Sequence, residues 1–417
     1  MRIYPLENSV MRYSWGSTNG LTEVLGIANE TGAPQAEIWM GAHPKAPSTL
    51  ILPEGRRSLD EMIASDPLRM IGPDVATRYK NRLPFLFKAL SAAKPLSIQV
   101  HPAARKAERG FEKENHAGIG RDAPERNYRD ANHKPELSVA LTHFEALIGF
   151  RPPEEITAFG RLLGTRSYHR LFDKLEKGQG RMELSVFFYS LMTLPSEARL
   201  GLIDATVEAA GQRLASGEAG ADEAQAWEWV LKLSRLWPGD IGVLAPLVFN
   251  VLALEPGEGI FIRPGQPHAY LCGTALEIMA NSDNVIRCAL TEKHVDIAEF
   301  ISILGFEAGK PAKAETTKTA PGVERFNCDV PEFSLSRIDA SSRPTFAVKG
   351  PEILLCTEGR VSIRSEDRGH ELGRGASVFV CASAGQWTAG GAGVLWRATV
   401  GESAVQGQGP ERLSALS

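Results

Sequence analysis

Polar and apolar side chains alternate with a period of two in several short stretches of the chain, the signature of strands with one packed and one polar face. In PLSIQVHP, 95–102, Ser97, Gln99 and His101 alternate with Leu96, Ile98 and Val100. The pattern predicts a strand that shows three polar groups on one side and ends at Pro102. HKPELSVAL behaves alike, with Lys134, Glu136 and Ser138 facing away from Leu137, Val139 and Leu141. Between them, 103–133 is polar and irregular and reads as a short helix followed by a long loop. The first 90 residues read as short strands and turns, including the apolar run LPFLFKAL at 83–90 with Lys88 inside it. A lysine in such a run either snorkels to water or is held for chemistry.

From about 152 to 245 the period changes to that of helices. PPEEITAFGRLLG opens with prolines and acidic residues suited to a helix N-terminus and sets Ile156, Phe159, Leu162 and Leu163 on one side. A second helix, behind Ser196, carries Leu200, Ile203, Val207, Ala210 and Leu214, and a third, with Trp227, Val230, Leu231 and Ser234, stops at Pro238-Gly239. Strands resume at 248–270, where Leu252 and Leu254 enter the Pro256-Gly257 turn and Ile260 and Ile262 leave it, a hairpin pattern. The next turn, Pro264 to Pro267, delivers His268. The following stretch, 275–296, gathers Glu277, Asn281, Ser282, Asp283, Asn284, Arg287 and Lys293 in an otherwise apolar β region.

After a Lys, Ala and Thr-rich stretch that reads as a linker, AKAETTKTAPG, the last third returns to short strands and Gly-rich turns. Here LGRGASVFVCASAGQWT, 372–388, aligns without a gap to LEPGEGIFIRPGQPHAY, 254–270. The self-similarity predicts two copies of one β-barrel unit, with Gln386 standing where the first copy has His268. The fold class is therefore mainly β, with barrel-type units and an inserted α-helical domain.

Composition narrows the functional classes. The chain has 417 residues, 43% hydrophobic and 23% charged, with a formal net charge of -4. That length predicts two or three domains. Without a long basic run there is no nucleic-acid surface to expect, and any anionic ligand must be met locally. Charges and Pro5 interrupt the N-terminus where a signal peptide needs an apolar core, and no run of about 18 apolar residues follows elsewhere, so a cytoplasmic protein without membrane contact is expected. Cys272, Cys288, Cys328, Cys356 and Cys381 are odd in number and form no CxxC, which predicts reduced structural thiols.

The candidate chemistry is a metal site. A lone imidazole is more often a packed group than a ligand, but Gln99, His101, Glu136 and His268 lie on strands or turns of one small barrel. Two imidazoles, a carboxylate and an amide oxygen suit zinc or another divalent first-row ion and leave room for a substrate oxygen or water. Around it, Arg287 and Lys293 are candidate anion partners, and Lys88, Lys134 and Glu277 are candidates for proton transfer.

These stretches, AEIWMGAHPKAPS, PFLFKALSAAKPLSIQVHP, NHKPEL, PHAYLCGTALEIMANSDNVIR and LTEKHVD, closely resemble the type I mannose-6-phosphate isomerases, also called phosphomannose isomerases. The resemblance implies cupin-type barrels and one zinc ion per chain held by Gln99, His101, Glu136 and His268. It implies an aldose-ketose isomerase interconverting mannose 6-phosphate and fructose 6-phosphate, with Arg287 catalytic and Lys88, Lys134, Glu277, Lys293 and Ser97 in the active site; the phosphosugar is the only partner expected, and the chain is expected to be a monomer. Trp15 of YSWG matches a residue at the family's pocket mouth. Either Glu277 or Lys134 could be the base. LTEKHVD departs from many relatives in having Glu292 and His294 beside the lysine. The expected domains are a catalytic barrel, 1–151 and 246–312, a helical insertion, 152–245, and a C-terminal barrel without a metal site, 313–417. Cupin barrels host many reactions, so the alternatives are a metal-dependent cupin enzyme of another chemistry or a sugar-phosphate binding or regulatory protein.

Overall fold

The computed structural model describes residues 2–163, 170–173, 175, 178, 180–366 and 369–405. Two antiparallel sheets, of ten and eleven strands, frame the fold, and helices between 153 and 248 form the insertion. The fold is thus mainly β with a helical insertion, as the periodicities predict.

The ten-stranded sheet is organised on the long strand His268–Ala280, which changes partners along its length. At His268 its neighbours are Gln99 and Ile148; at Glu277 they are Lys88 and Ser138. A register shift between Tyr270 and Cys272 separates the halves. Such a bulge inserts one residue and reverses the alternation beyond it. His268, Tyr270 and Glu277 consequently face the same side, although strict alternation would turn Glu277 away from His268.

The polar strand predicted at 95–102 is shorter, Ile98–Val100, and His101 follows it. Its logic still holds, because Ile98 and Val100 are buried with Leu147, Val243, Leu244 and Ile286 while Gln99 faces the other way. The insertion's apolar face thereby anchors the strand that carries Gln99. Glu136–Ala140 is a strand as predicted, with Leu137 and Val139 in the core and Ser138 on the polar side.

Several elements depart from the expectation. Helices Leu59–Ser65, Pro67–Met70 and Pro73–Arg78 lie in the region read as strands and turns. The second insertion helix, Ser196–Ser216, buries Leu202, Ile203, Thr206, Ala209 and Ala210 and leaves Leu200 47% exposed, so its buried face is rotated from the predicted one. Leu162 is likewise exposed. A further helix, Arg181–Met192, sends Leu184, Phe187 and Phe188 into the same core. The apparent linker pairs Thr316–Ala320 with Val323–Phe326 across a turn, at the edge of the eleven-stranded sheet.

That sheet also takes in Ile3–Glu7, which pairs with Ser377–Val380, and beyond it Thr49–Leu52 and Gly55–Ser58. The internal repeat is visible in three dimensions. Gly259–Ile262 and Ser377–Val380 are equivalent short strands, and His268 and Gln386 each begin a long one. Gln386 is exposed where His268 is fully buried. All five cysteines are free. Burial pushes the Cys328 and Cys381 thiols up to about 12, and burial with the Glu145 carboxylate does the same to Cys272. Thiols held this high are poor nucleophiles at neutral pH. Among the described residues no helix is long and apolar enough to cross a membrane.

Candidate active site

Three protein groups converge inside the ten-stranded sheet. Nε2 of His101 and Nε2 of His268 lie 3.3 and 3.4 Å from the two carboxylate oxygens of Glu136, with all three side chains buried. Each imidazole turns its other nitrogen to a backbone carbonyl: Nδ1 of His101 to Asn284, 2.8 Å, and Nδ1 of His268 to Gln266, 3.1 Å. Backbone oxygens accept only, so both rings carry the proton on Nδ1 and present a lone pair at Nε2. Those two Nε2 atoms and Oε2 of Glu136 have no hydrogen-bond partner among the described residues. Orphaned buried polar atoms are costly, and a shared cation would satisfy all three at once.

The electrostatics agree. Burial, reinforced by the nearby Lys134 ammonium, lowers the His101 pKa to about 4, which keeps the ring neutral and able to ligate. Burial disfavours the Glu136 carboxylate, but Lys134 and His101 outweigh it and hold its pKa well below the usual range. Lys134 donates to Oε1 of Glu136 at 2.8 Å. The donors that could hold a metal are therefore His101, Glu136 and His268, whose ligating atoms lie within 4.8 Å of one another. Gln99 is directly opposite both His268 and Arg287 in the strand registers, and directly opposed residues of an antiparallel pair share a face.

Behind the three donors runs a second row. Trp39, Lys88, Glu277 and Ser138 are aligned across four strands. Lys88 Nζ donates to Oε1 of Glu277, 3.1 Å, and lies 3.6 Å from Glu37. Tyr270 donates to the other Glu277 oxygen, 3.0 Å, and its hydroxyl also meets Ser138 Oγ at 2.6 Å. Burial opposes the Lys88 charge, yet the Glu277, Glu37 and Glu136 carboxylates prevail and raise its pKa. Burial raises the Glu277 pKa; Lys88 counters this in part and the Glu136 charge adds to it.

Arg287 sits on the strand Ile286–Ala289 next to Gln99 and is part-buried, with one bond, 3.3 Å, to the carbonyl of Val285. Lys293 is exposed on the loop beyond. Ser97 precedes the Gln99 strand and is part-buried. Trp15 packs against the buried cluster that includes Leu90, Phe144 and Tyr270 and stacks on Tyr13. Direct contacts join His101, Lys134 and His268 to Glu136 and Lys88 to Glu277, the strand registers set Gln99 beside His268 and Arg287, and Ser97, Lys293 and Trp15 lie on flanking segments. Tyr270, Glu37 and Arg129 were not singled out. Tyr270 carried a usable signal, since it stands two residues after His268 in PHAY and so shares its face.

Comparisons with known proteins find relatives along nearly the whole chain. The description of the phosphomannose isomerase type I catalytic domain matches residues 3–153. Mannose-6-phosphate isomerase of Salmonella typhimurium is 40% identical over 395 residues, 94% of this chain and 98% of that one. Its counterpart in Rattus norvegicus is 32% identical, covering 92% and 94%. A zinc-bound crystal structure of mannose 6-phosphate isomerase superimposes with a TM-score of 0.88 at 39% identity, covering 96% of this chain and 100% of that one. With sequence likeness running nearly end to end in both directions, the chain belongs to the type I phosphomannose isomerases.

Proposed function

We propose that the protein interconverts D-mannose 6-phosphate and D-fructose 6-phosphate, with one zinc ion held by His101, Glu136, His268 and Gln99. The observation that carries the reading is the set of three orphaned donor atoms on His101, Glu136 and His268 in a chain so similar to mannose-6-phosphate isomerases. Two neutral imidazoles, a neutral amide and one carboxylate leave net positive charge on a divalent ion. When bound, zinc would supply Lewis acidity toward the oxygens on the reacting carbons.

The reaction moves a proton between C1 and C2 of the opened sugar through an enediolate. Glu277 is the proposed base: burial raises its pKa toward the range in which a carboxylate both accepts and returns a proton. Lys88 and Tyr270 hold its two oxygens and fix its direction. Lys134 is occupied by Glu136 and serves to orient that carboxylate. Arg287, beside Gln99, is placed to stabilise negative charge developing on the enediolate. Ser97, Lys293 and Trp15 complete the substrate pocket. In this reading residues 1–151 and 246–312 form the catalytic unit, 152–245 the helical insertion and 313–417 the second barrel, to whose sheet the catalytic unit lends Ile3–Glu7, Thr49–Leu52 and Gly55–Ser58. We read the protein as a monomer, and its five free thiols suit the reducing cytoplasm.

The test is a coupled assay supplied with mannose 6-phosphate, which should form fructose 6-phosphate. No product from zinc-loaded protein would refute the reading. For the base, Glu277→Gln should abolish exchange of the C2 proton with solvent, whereas Lys134→Met should retain it. The reverse pattern would assign the proton transfer to Lys134.

A further inference from the structure

The segment 126–132 has no apolar period, yet the fold holds it in place from both sides. Backbone N–H groups of Arg129 and Asp130 donate to Oδ1 of Asn284, 2.8 and 3.2 Å. Nδ2 of Asn284 returns two bonds, to the carbonyls of Asp130 and Asn132. Asn284 is fully buried, lies three residues before Arg287, and gives its own carbonyl to His101. On the other side Asn127 donates to Asp296, which stands three residues after Lys293. Arg129 is thus fixed between the segments that carry Arg287 and Lys293.

Its guanidinium makes no hydrogen bond or ion pair among the described residues. The carboxylates nearby are already engaged. Asp130 accepts from Ser282, Asn132 and Asn284 on one oxygen and from the N–H of Asp283 on the other. Asp283 pairs with Lys45, 2.8 Å, and approaches His43. Asp296 caps the helix Ile297–Ile303 and takes Asn127, while Glu37 accepts from Trp39 and faces Lys88. Arg129, Arg287 and Lys293 therefore form a group of like charges without a carboxylate partner. After burial, repulsion from Arg129 lowers the pKa of Arg287, and repulsion from Arg287 and Arg129 lowers that of Lys293. Such a group is stabilised by an incoming anion, and paired guanidinium donors suit a phosphate.

We propose that Arg129, together with Lys293, binds the phosphate of the substrate and so leaves Arg287 free to act at the reacting carbons. The inference rests on the phosphosugar reading above. Arg287 is opposite Gln99, which is itself opposite His268, so it stands on the face of the metal donors, where the reading above puts C1 and C2. The phosphate belongs at the other end of the six-carbon chain. Arg129 is a binding residue whose contact is the same in ground and transition states, so its loss should appear in KM and leave kcat nearly intact.

Arg129→Ala should raise KM for mannose 6-phosphate about 10- to 100-fold, the loss of one charge-assisted contact, and weaken competitive inhibition by inorganic phosphate by a similar factor. Zinc content should match the unaltered protein. Arg129→Lys should recover much of the affinity, because it restores the charge without the fork. Wild-type KM and phosphate inhibition in Arg129→Ala would overturn the proposal, as would a lowered kcat at unchanged KM. Loss of zinc or of fold in both variants would make Arg129 structural and also overturn it. An inactive unaltered protein, by contrast, would refute the phosphosugar reading itself.

Discussion

His268→Ala is expected to leave a folded protein that retains little zinc and no measurable isomerase activity. The side chain is fully buried and contributes one of the two orphaned ring nitrogens that face Glu136. Removing it takes away one of the two imidazoles and leaves His101, Glu136 and the weakly donating amide of Gln99, a poorer set than the four of the intact site. It also leaves Glu136 with an unmatched buried oxygen. Lys134, already 2.8 Å from that carboxylate, then carries the compensation alone. Metal analysis of the purified variant separates this outcome from unfolding, which a thermal melt reports independently. A variant that kept stoichiometric zinc and full turnover would remove His268 from the site.

Arg287→Ala is expected to reduce kcat by about 10²- to 10³-fold, the usual cost of deleting a charged donor aimed at a developing oxyanion, while zinc content stays unchanged. The guanidinium makes only one long contact to protein, the Val285 carbonyl, so its removal disturbs little packing. Its neighbour across the strand pair is Gln99, which places it next to the metal donors without binding them. Unaltered kcat with raised KM would move Arg287 to the phosphate end of the pocket. Loss of zinc would make it a support of the metal site.

The elements that carry the site were legible because they obey simple periods. Alternation in HKPELSVAL sets Glu136 and Ser138 opposite Leu137 and Val139, and the fold keeps that division. The hairpin and turn before His268 were readable from Pro and Gly. The relation of His268 to Glu277 was not, because it depends on the irregularity at Leu271 that reverses the strand's parity. Nothing in an apolar Leu flanked by Tyr and Cys announces a bulge. Arg129 escaped for a different reason. Its place comes from hydrogen bonds to Asn284, 155 positions away in the chain, and segments held by long-range polar bonds have no local period.

Helices erred where tertiary packing overrode the pattern. In Ser196–Ser216, Thr206 reads as polar yet is fully buried with its hydroxyl bonded to the carbonyl of Leu202. That allowance rotates the packed face and leaves Leu200 outside. The three short helices between 59 and 78 are each seven residues or fewer, too short for a 3.6-residue period to stand out, and two begin at a proline. The internal repeat was the most reliable long-range signal, since it compared the chain with itself. It placed Gln386 opposite His268, and both prove to be the first residues of long strands.

The most direct measurement of the central claim is turnover of mannose 6-phosphate by one protein sample before chelation, after removal of its metal, and after zinc is added back. Activity should vanish with the metal and return as one equivalent of zinc per chain is restored. Full activity in a sample from which metal analysis finds no zinc or other divalent ion would contradict the account.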